Sequence, residues 1–435
     1  MHPLSQPRFE ALLYRRVPWA TNVAREVEWW RNADESLIAT INLDFSDRDY
    51  AWIILGRDET GVFRAVYLDS SYLQIEDARE AMRLRMSELS SDHAQEFPQG
   101  DNDKRKQEIL VPCEPELRLH PNFVHLTERA DHSPAYGLLR ELSFAFKDRD
   151  GNFRKDFQTT GFDGRLWELF LYAFLYEQKF QIDDKNAIPD FLVEKGGCRL
   201  AIEATTVNPT NGIEPPIPRT AQEETELCRN YMPIKWGSAL LSKLRKKYWE
   251  KEKVAGLPLI FAIHDFHGPG SMTWSLPALS DYLYGVRCDG NGDDQPVDSH
   301  RYGSKTIPSG FFSQPDAENV AAVLASNEAT LAKFNRMGKI AGFGDPKISM
   351  ARIGVLLRSD PPQREPFTLP IEIGVASEDW SSGIWVFHNP NAKSPLKADF
   401  FEGSLNVFFH DGHRDYFSTK SSRVLRSYTA IKGTT

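Results

Sequence analysis

The sequence is poor in cysteine, in net positive charge and in long apolar runs, and each shortage removes a class of protein. Its four cysteines, Cys113, Cys198, Cys228 and Cys288, are too scattered for a CxxC metal knuckle and too few for a disulfide scaffold, which points to a reduced, cytoplasmic protein. No run of about 18 uncharged apolar residues occurs, and the opening MHPLSQPRFEALLYRR lacks the apolar stretch of a secretory signal, so neither a membrane span nor export is expected. The formal net charge is −9, from 52 Lys and Arg against 61 Asp and Glu. That balance argues against a protein that coats nucleic acid over its whole surface, and it leaves room for a local basic patch. Nucleophile motifs such as GxSxG, phosphate loops such as GxxxxGKS, dinucleotide fingerprints and internal repeats are also missing.

What is present is the composition of a folded protein, 41% hydrophobic and 26% charged, in a chain of 435 residues that is long enough for two or three domains. Polar or Pro/Gly-rich stretches interrupt it near 89–108, 209–222, 286–310 and 359–366. Before the first of these, LIATINLDF, YAWIILGR and VFRAVYLD read as strands and 76–88 as a helix, an N-terminal α+β module assigned to 1–155. From 345 onward ISMARIGVLLR, LPIEIGVA, GIWVFHNP and SLNVFFHD read as strands, giving a β-rich C-terminal extension over 301–435 that is able to continue the sheet of the middle region.

The middle region, 156–300, carries the chemistry. A helix is expected after Asp163, read as its N-cap, through GRLWELFLYAFLYEQ; it is apolar nearly all round, with Glu168 the one carboxylate at its centre. FQID, a turn at Asp184–Asn186, the strand PDFLVEK, a Gly196–Gly197 hairpin turn and the strand CRLAIEATT follow. A Pro-rich loop then leads to a basic amphipathic helix over about 236–252 and to LPLIFAIHDF, an apolar run suited to a central strand. Asp190 opens one strand and Glu203 lies on the next, between Ile202 and Ala204, where a carboxylate is costly unless it is paired or bound to metal. Acids at the ends of adjacent strands suit a hard cation such as Mg²⁺, which prefers oxygen ligands and keeps positions for water and phosphate.

These residues in this order resemble the restriction-endonuclease-like nucleases, known by the PD-(D/E)xK motif and by an αβββαβ core. The resemblance covers roughly 160–270. It implies an α/β fold in which Asp190 and Glu203 bind Mg²⁺ or Mn²⁺, with the Ala204 carbonyl as a further ligand and Glu168 as the assisting helix acid. The lysine that orients or deprotonates the attacking water in this family is replaced by Thr205. Some members carry it on the following helix, which here reads IKWGSALLSKLRKKYWEKEK. With Leu240, Leu241, Leu244 and Tyr248 as the apolar stripe, Lys247 is expected to flank the stripe more closely than Lys243 or Lys246, while Lys235 precedes the helix and is free to reach.

The same segment is the local basic patch. Seven cations, Lys235, Lys243, Arg245, Lys246, Lys247, Lys251 and Lys253, face two acids, Glu250 and Glu252, and the first five are the expected nucleic-acid contacts. The resemblance implies metal-dependent hydrolysis of nucleic acid, DNA rather than RNA, in the setting of bacterial phage defence. The alternative is a nuclease fold without catalysis that binds nucleic acid, a protein partner or a second copy of itself. In a nuclease Asp190 and Glu203 must lie within about 5 Å of one cation, whereas a binding protein holds them apart or salt-bridged. His264 and His267 in HDFH lack a third ligand at metal spacing, and His388 and the His410–His413 run precede ordinary turn residues, so these histidines read as structural.

Overall fold

LIFAIHD, the run of the sequence best suited to burial on both faces, is buried at all its positions and lies inside an eight-stranded sheet. The computed structural model describes all residues except 92–95, 101–106, 150, 184, 186–187, 211, 289–293, 360–361, 421 and 433–435. The protein is a mixed α/β fold with several sheets. The strands of the large sheet are β1 (Gln181–Asp183), β2 (Phe191–Lys195), β3 (Cys198–Val207), β4 (Leu259–Asp265), β5 (Ala322–Ser326), β6 (Ile384–His388), β7 (Leu405–His410) and β8 (His413–Phe417). Each strand pairs with its neighbours in chain order. β1 to β3 form an antiparallel meander, β3, β4 and β5 run parallel, β6 is antiparallel to β5, β7 is parallel to β6, and β8 turns back antiparallel.

Side-chain alternation gives the sheet two apolar faces. Leu200, Ile202, Ile260 and Ala262 pack on the side of helix α1 (Phe162–Glu177), and Ala201, Leu259, Phe261 and Ile263 pack on the side of helix α2 (Met232–Leu244) and of helix Leu276–Tyr284. α1 is apolar all round because it is also covered from outside by the helices Pro121–Glu128, Ser133–Ala145 and Phe153–Gln158. Its cap differs from the expectation. Gly161 is the N-cap, and Asp163 lies inside the first turn, where burial raises its carboxyl to about 6.

The N-terminal strands form an antiparallel sheet of His2–Pro3, Ala24–Arg31, Leu37–Asp44, Tyr50–Arg57 and Phe63–Tyr72 in that order. Helix Ile75–Ser91 seals one face through Ala78, Met82 and Met86, while Ile38 and Phe63 join the cluster around α1. That cluster runs from Leu4 to Phe401, so the divisions drawn at 155 and 300 do not separate cores. Position 155 falls within helix Phe153–Gln158, and 300 within strand Ser299–Tyr302.

A third sheet of Ser349–Ser359, Pro362–Pro370 and Ser422–Lys432 has Ser349–Ser359 at its centre. The expected strand LPIEIGVA is displaced: the strand occupies the preceding segment, and Ile371 to Ala376 is loop. Pro362, Pro366 and Pro370 are tolerated there because the strand lies at a sheet edge. This sheet is tied to the core by buried ion pairs, in which Arg336 and Arg352 both bond Glu328 at 2.6 Å and Lys333 bonds Glu378 at 2.6 Å. Among the described residues no helix is long and apolar enough to cross a membrane.

Trp167 on α1 is wholly buried and its indole N–H donates to the Ala262 carbonyl on β4 at 3.1 Å, so it joins helix to sheet by both packing and a hydrogen bond. Trp167→Ala is expected to destabilise the protein by about 3–5 kcal/mol, read as a fall in the urea midpoint.

Candidate functional site

The β2–β3 hairpin builds the site. Lys195 pairs with Cys198 across Gly196 and Gly197, whose φ values of 59° and 75° are those a tight two-residue turn needs. The register that follows pairs Phe191 with Ile202, which brings Asp190 level with Glu203. Asp190 precedes the strand, and there its carboxylate Oδ2 accepts the Ala204 backbone N–H at 2.7 Å.

Glu203 is 5% exposed, and its charge is met from α2. Lys243 Nζ lies 2.5 Å from Glu203 Oε1, and the Tyr248 hydroxyl donates to the same oxygen at 2.6 Å. Glu168 reaches the site from the opposite face of the sheet. It bonds Arg165 at 3.0 and 3.2 Å, and Arg165 also bonds Asp156 at 2.7 Å. Glu168 and Asp190 border one small cavity of about 40 Å³, with Lys147, Arg149 and Arg165 on its wall. Arg149 also donates to the Asp190 carbonyl.

Asp190 holds its proton more tightly than a free carboxyl, chiefly because it is buried. Removal from water raises its carboxyl to about 7, and Glu203 and then Glu168 push in the same direction against Lys243 and the Ala204 N–H. Burial, followed by the bond to Glu203, raises the Tyr248 hydroxyl far enough that it remains a donor.

Comparison with family models, with curated proteins and with solved structures finds no match to this chain.

Of the lysines weighed from sequence, the one at the acids is Lys243. The ranking that favoured Lys247 assumed a helix continuing to about 252, but α2 ends at Leu244. Lys247 takes a left-handed conformation with φ 48° and faces Glu250 and Asp316 at 3.7 Å. The break turns Tyr248 inward, where it is 3% exposed. Lys235 is not free to reach: its ammonium bonds the Asn208 carbonyl at 2.6 Å and Thr210 Oγ1 at 3.2 Å, beyond the end of β3. Arg245, Lys246 and Lys247 form an exposed basic tip. Three further residues belong to the site. Tyr248 had been assigned to the apolar stripe, Arg149 carries no local motif, and Arg165 stands three residues before Glu168 on one helix, the spacing of an ion pair readable from the sequence.

The histidines have structural partners. His267 Nδ1 lies 2.7 Å from Asp265 Oδ1, and His388 Nε2 lies 2.9 Å from Asn406 Oδ1. His410 and His413 face each other across a hairpin turn. Among the described residues no group of three or more His, Cys, Asp or Glu side chains is arranged to hold a metal ion. His264 is fully buried, its Nε2 accepts the Ala329 N–H at 3.1 Å, and desolvation lowers its pKa from 6.5 to about 4.

The folded protein therefore refuses a proton that the unfolded chain takes up near pH 6.5. The stability from neutral His264 is present above that value and is lost as pH falls toward about 4. One such group contributes a slope of at most about 1.4 kcal/mol per pH unit. In urea titrations His264→Gln is expected to flatten the dependence between pH 6.5 and 4 by up to that amount, whatever its effect at pH 8.

Proposed function

We propose that this protein is a metal-dependent nuclease on a restriction-endonuclease-like core, acting on DNA in preference to RNA, with Lys243 as the cation that the motif lacks at Thr205. Bacterial antiviral defence is the setting that goes with this reading. The observation that carries it is the meeting of Asp190, Glu203 and Lys243 at one edge of the β2–β3 hairpin. The order α1, β1, β2, β3, α2, β4 supports it further.

The donors suit Mg²⁺ or Mn²⁺ rather than a closed protein cage. The hydrogen bonds described engage Asp190 Oδ2 and Glu203 Oε1, so each acid keeps a second oxygen to offer. The Ala204 carbonyl shares the strand side of its N–H, which faces Asp190. Two carboxylates and a carbonyl are a typical protein share for Mg²⁺, which retains several waters. The proton affinity of Asp190 is raised first by burial and then by Glu203 and Glu168, and a bound divalent cation would oppose all three. When bound, the cation supplies Lewis-acid polarisation of phosphoryl oxygens and a lowered water pKa.

The chain's own residues do the rest. Tyr248 and Lys243 fix the direction of Glu203, and the Lys243 ammonium stabilises charge building on the phosphoryl group. Glu168, held by Arg165, sets the field at Asp190. Lys147 and Arg149 border the acid cavity and can hold phosphate oxygens, while Arg245, Lys246 and Lys247 offer contacts to the backbone farther along.

The same Lys243–Glu203 bond favours a second reading, a non-catalytic nucleic-acid-binding or interaction protein in which the ion pair neutralises a residual acid. Cleavage assays separate the two. With Mg²⁺ or Mn²⁺, wild type is expected to cut DNA, and Asp190→Ala and Glu203→Gln are expected to be inactive. Lys243→Met should slow single-turnover cleavage at saturating substrate by roughly 10²-fold or more, whereas Lys247→Met should weaken binding and leave that rate unchanged. Full activity in Lys243→Met rejects that lysine. Cation-independent binding with no cleavage of any DNA or RNA establishes the second reading.

A further inference from the structure

A second cavity, of about 260 Å³, adjoins the acids. The segment carrying Phe146, Lys147 and Arg149 borders both cavities, and Phe191, which follows Asp190, lines the larger one. Its cations are Arg15, Arg16, Lys147 and Arg149, of which Arg16 is paired with Glu26, against one acid, Asp183, among the described residues that line it. Such a concentration stands out in a chain of net charge −9 and draws anions to this wall.

The rest of the lining is largely aromatic. Tyr14, Phe146 and Phe180 are buried there, and the Tyr14 and Tyr176 rings meet edge to face with centroids 5.2 Å apart. The Tyr172 hydroxyl donates to the Tyr14 carbonyl at 2.8 Å and fixes that wall, and the Arg149 guanidinium lies 5.8 Å from the Phe191 ring centroid. Tyr176 has the Arg16 guanidinium beside its hydroxyl, a polar edge within the apolar lining. Arg15, Lys147 and Gln181 are exposed at the mouth.

We infer that this cavity receives the base of an unpaired nucleotide next to the phosphate held at Asp190 and Glu203, so that the substrate is single-stranded nucleic acid. The inference rests on the nuclease reading and narrows its substrate class. Aromatic walls accept any base by stacking, and the cations that border both cavities follow the backbone from one to the other. A base inside a duplex remains stacked and paired and cannot enter a recess of this kind without leaving the helix.

The test is fluorescence anisotropy with a labelled oligothymidylate and with a duplex of equal length, with Ca²⁺ in place of Mg²⁺ to suppress turnover. Wild type is expected to bind the single strand more tightly than the duplex. Arg15→Glu, at an exposed position, and Tyr176→Leu should each weaken single-strand binding by roughly 10-fold while leaving duplex binding unchanged. Wild-type single-strand affinity in both folded variants overturns the pocket, as does equal binding of the duplex with equal loss in the variants. Mg²⁺-dependent cleavage of the same oligonucleotides is read separately. Pocket-dependent binding without cleavage by wild type keeps the pocket and removes the nuclease reading; cleavage with variant-insensitive binding does the reverse.

Discussion

The constraint on which this site depends is the carboxylate of Glu203 in the interior of an apolar strand. Glu203 is itself buried, and an unpaired charge there would cost several kcal/mol. The last turn of α2 answers that cost with the Lys243 ammonium, and the segment after it adds the Tyr248 hydroxyl on the same oxygen. Satisfying both from residues five apart limits the course of the chain: Lys243 must lie on the last turn facing β3, and the chain must then leave the helix for Tyr248 to come back. The end at Leu244 and the left-handed Lys247 are consistent with that requirement.

The second acid depends on where β2 begins. The ladder to β3 starts with Phe191 and Ile202, so the Ala204 N–H, one step past it, has no strand partner on that side. Asp190 takes its place with a side-chain oxygen. Glu168 approaches from α1 on the far side, and at this edge, where the backbone of β2 no longer intervenes, it acts on Asp190 together with Glu203.

Much of this arrangement was legible in the sequence because it is local. The Gly196–Gly197 turn and the alternation of β2 and β3 determine which residues oppose one another, and an acid between two apolar neighbours is visible without coordinates. The choice between Lys243 and Lys247 was not legible, because helical periodicity extends a pattern past the point where a tertiary hydrogen bond ends the helix. Tyr248 was hidden for a related reason, since an amphipathic side chain at a stripe position packs its ring and still presents its hydroxyl. The strand at Pro362–Pro370 was missed because its prolines suggest a linker, and only its edge position makes them compatible with a sheet.

The cations around the site explain why a core of roughly 160–270 would be incomplete. Asp156, which holds Arg165 and through it Glu168, lies before α1, as do Lys147 and Arg149 at the acid cavity. Arg15 and Arg16 come from still earlier in the chain and reach the same wall. At the acids, the elements from α1 to β4 supply Glu168, Asp190 and Glu203 with Arg165 and Lys243 as their ion-pair partners. The segments packed outside α1 add Lys147 and Arg149 to that wall, and the buried cluster from Leu4 to Phe401 joins them to the sheet. The chemistry of the hairpin and the electrostatics of its surroundings are therefore encoded in different parts of the sequence, and packing against α1 brings them together.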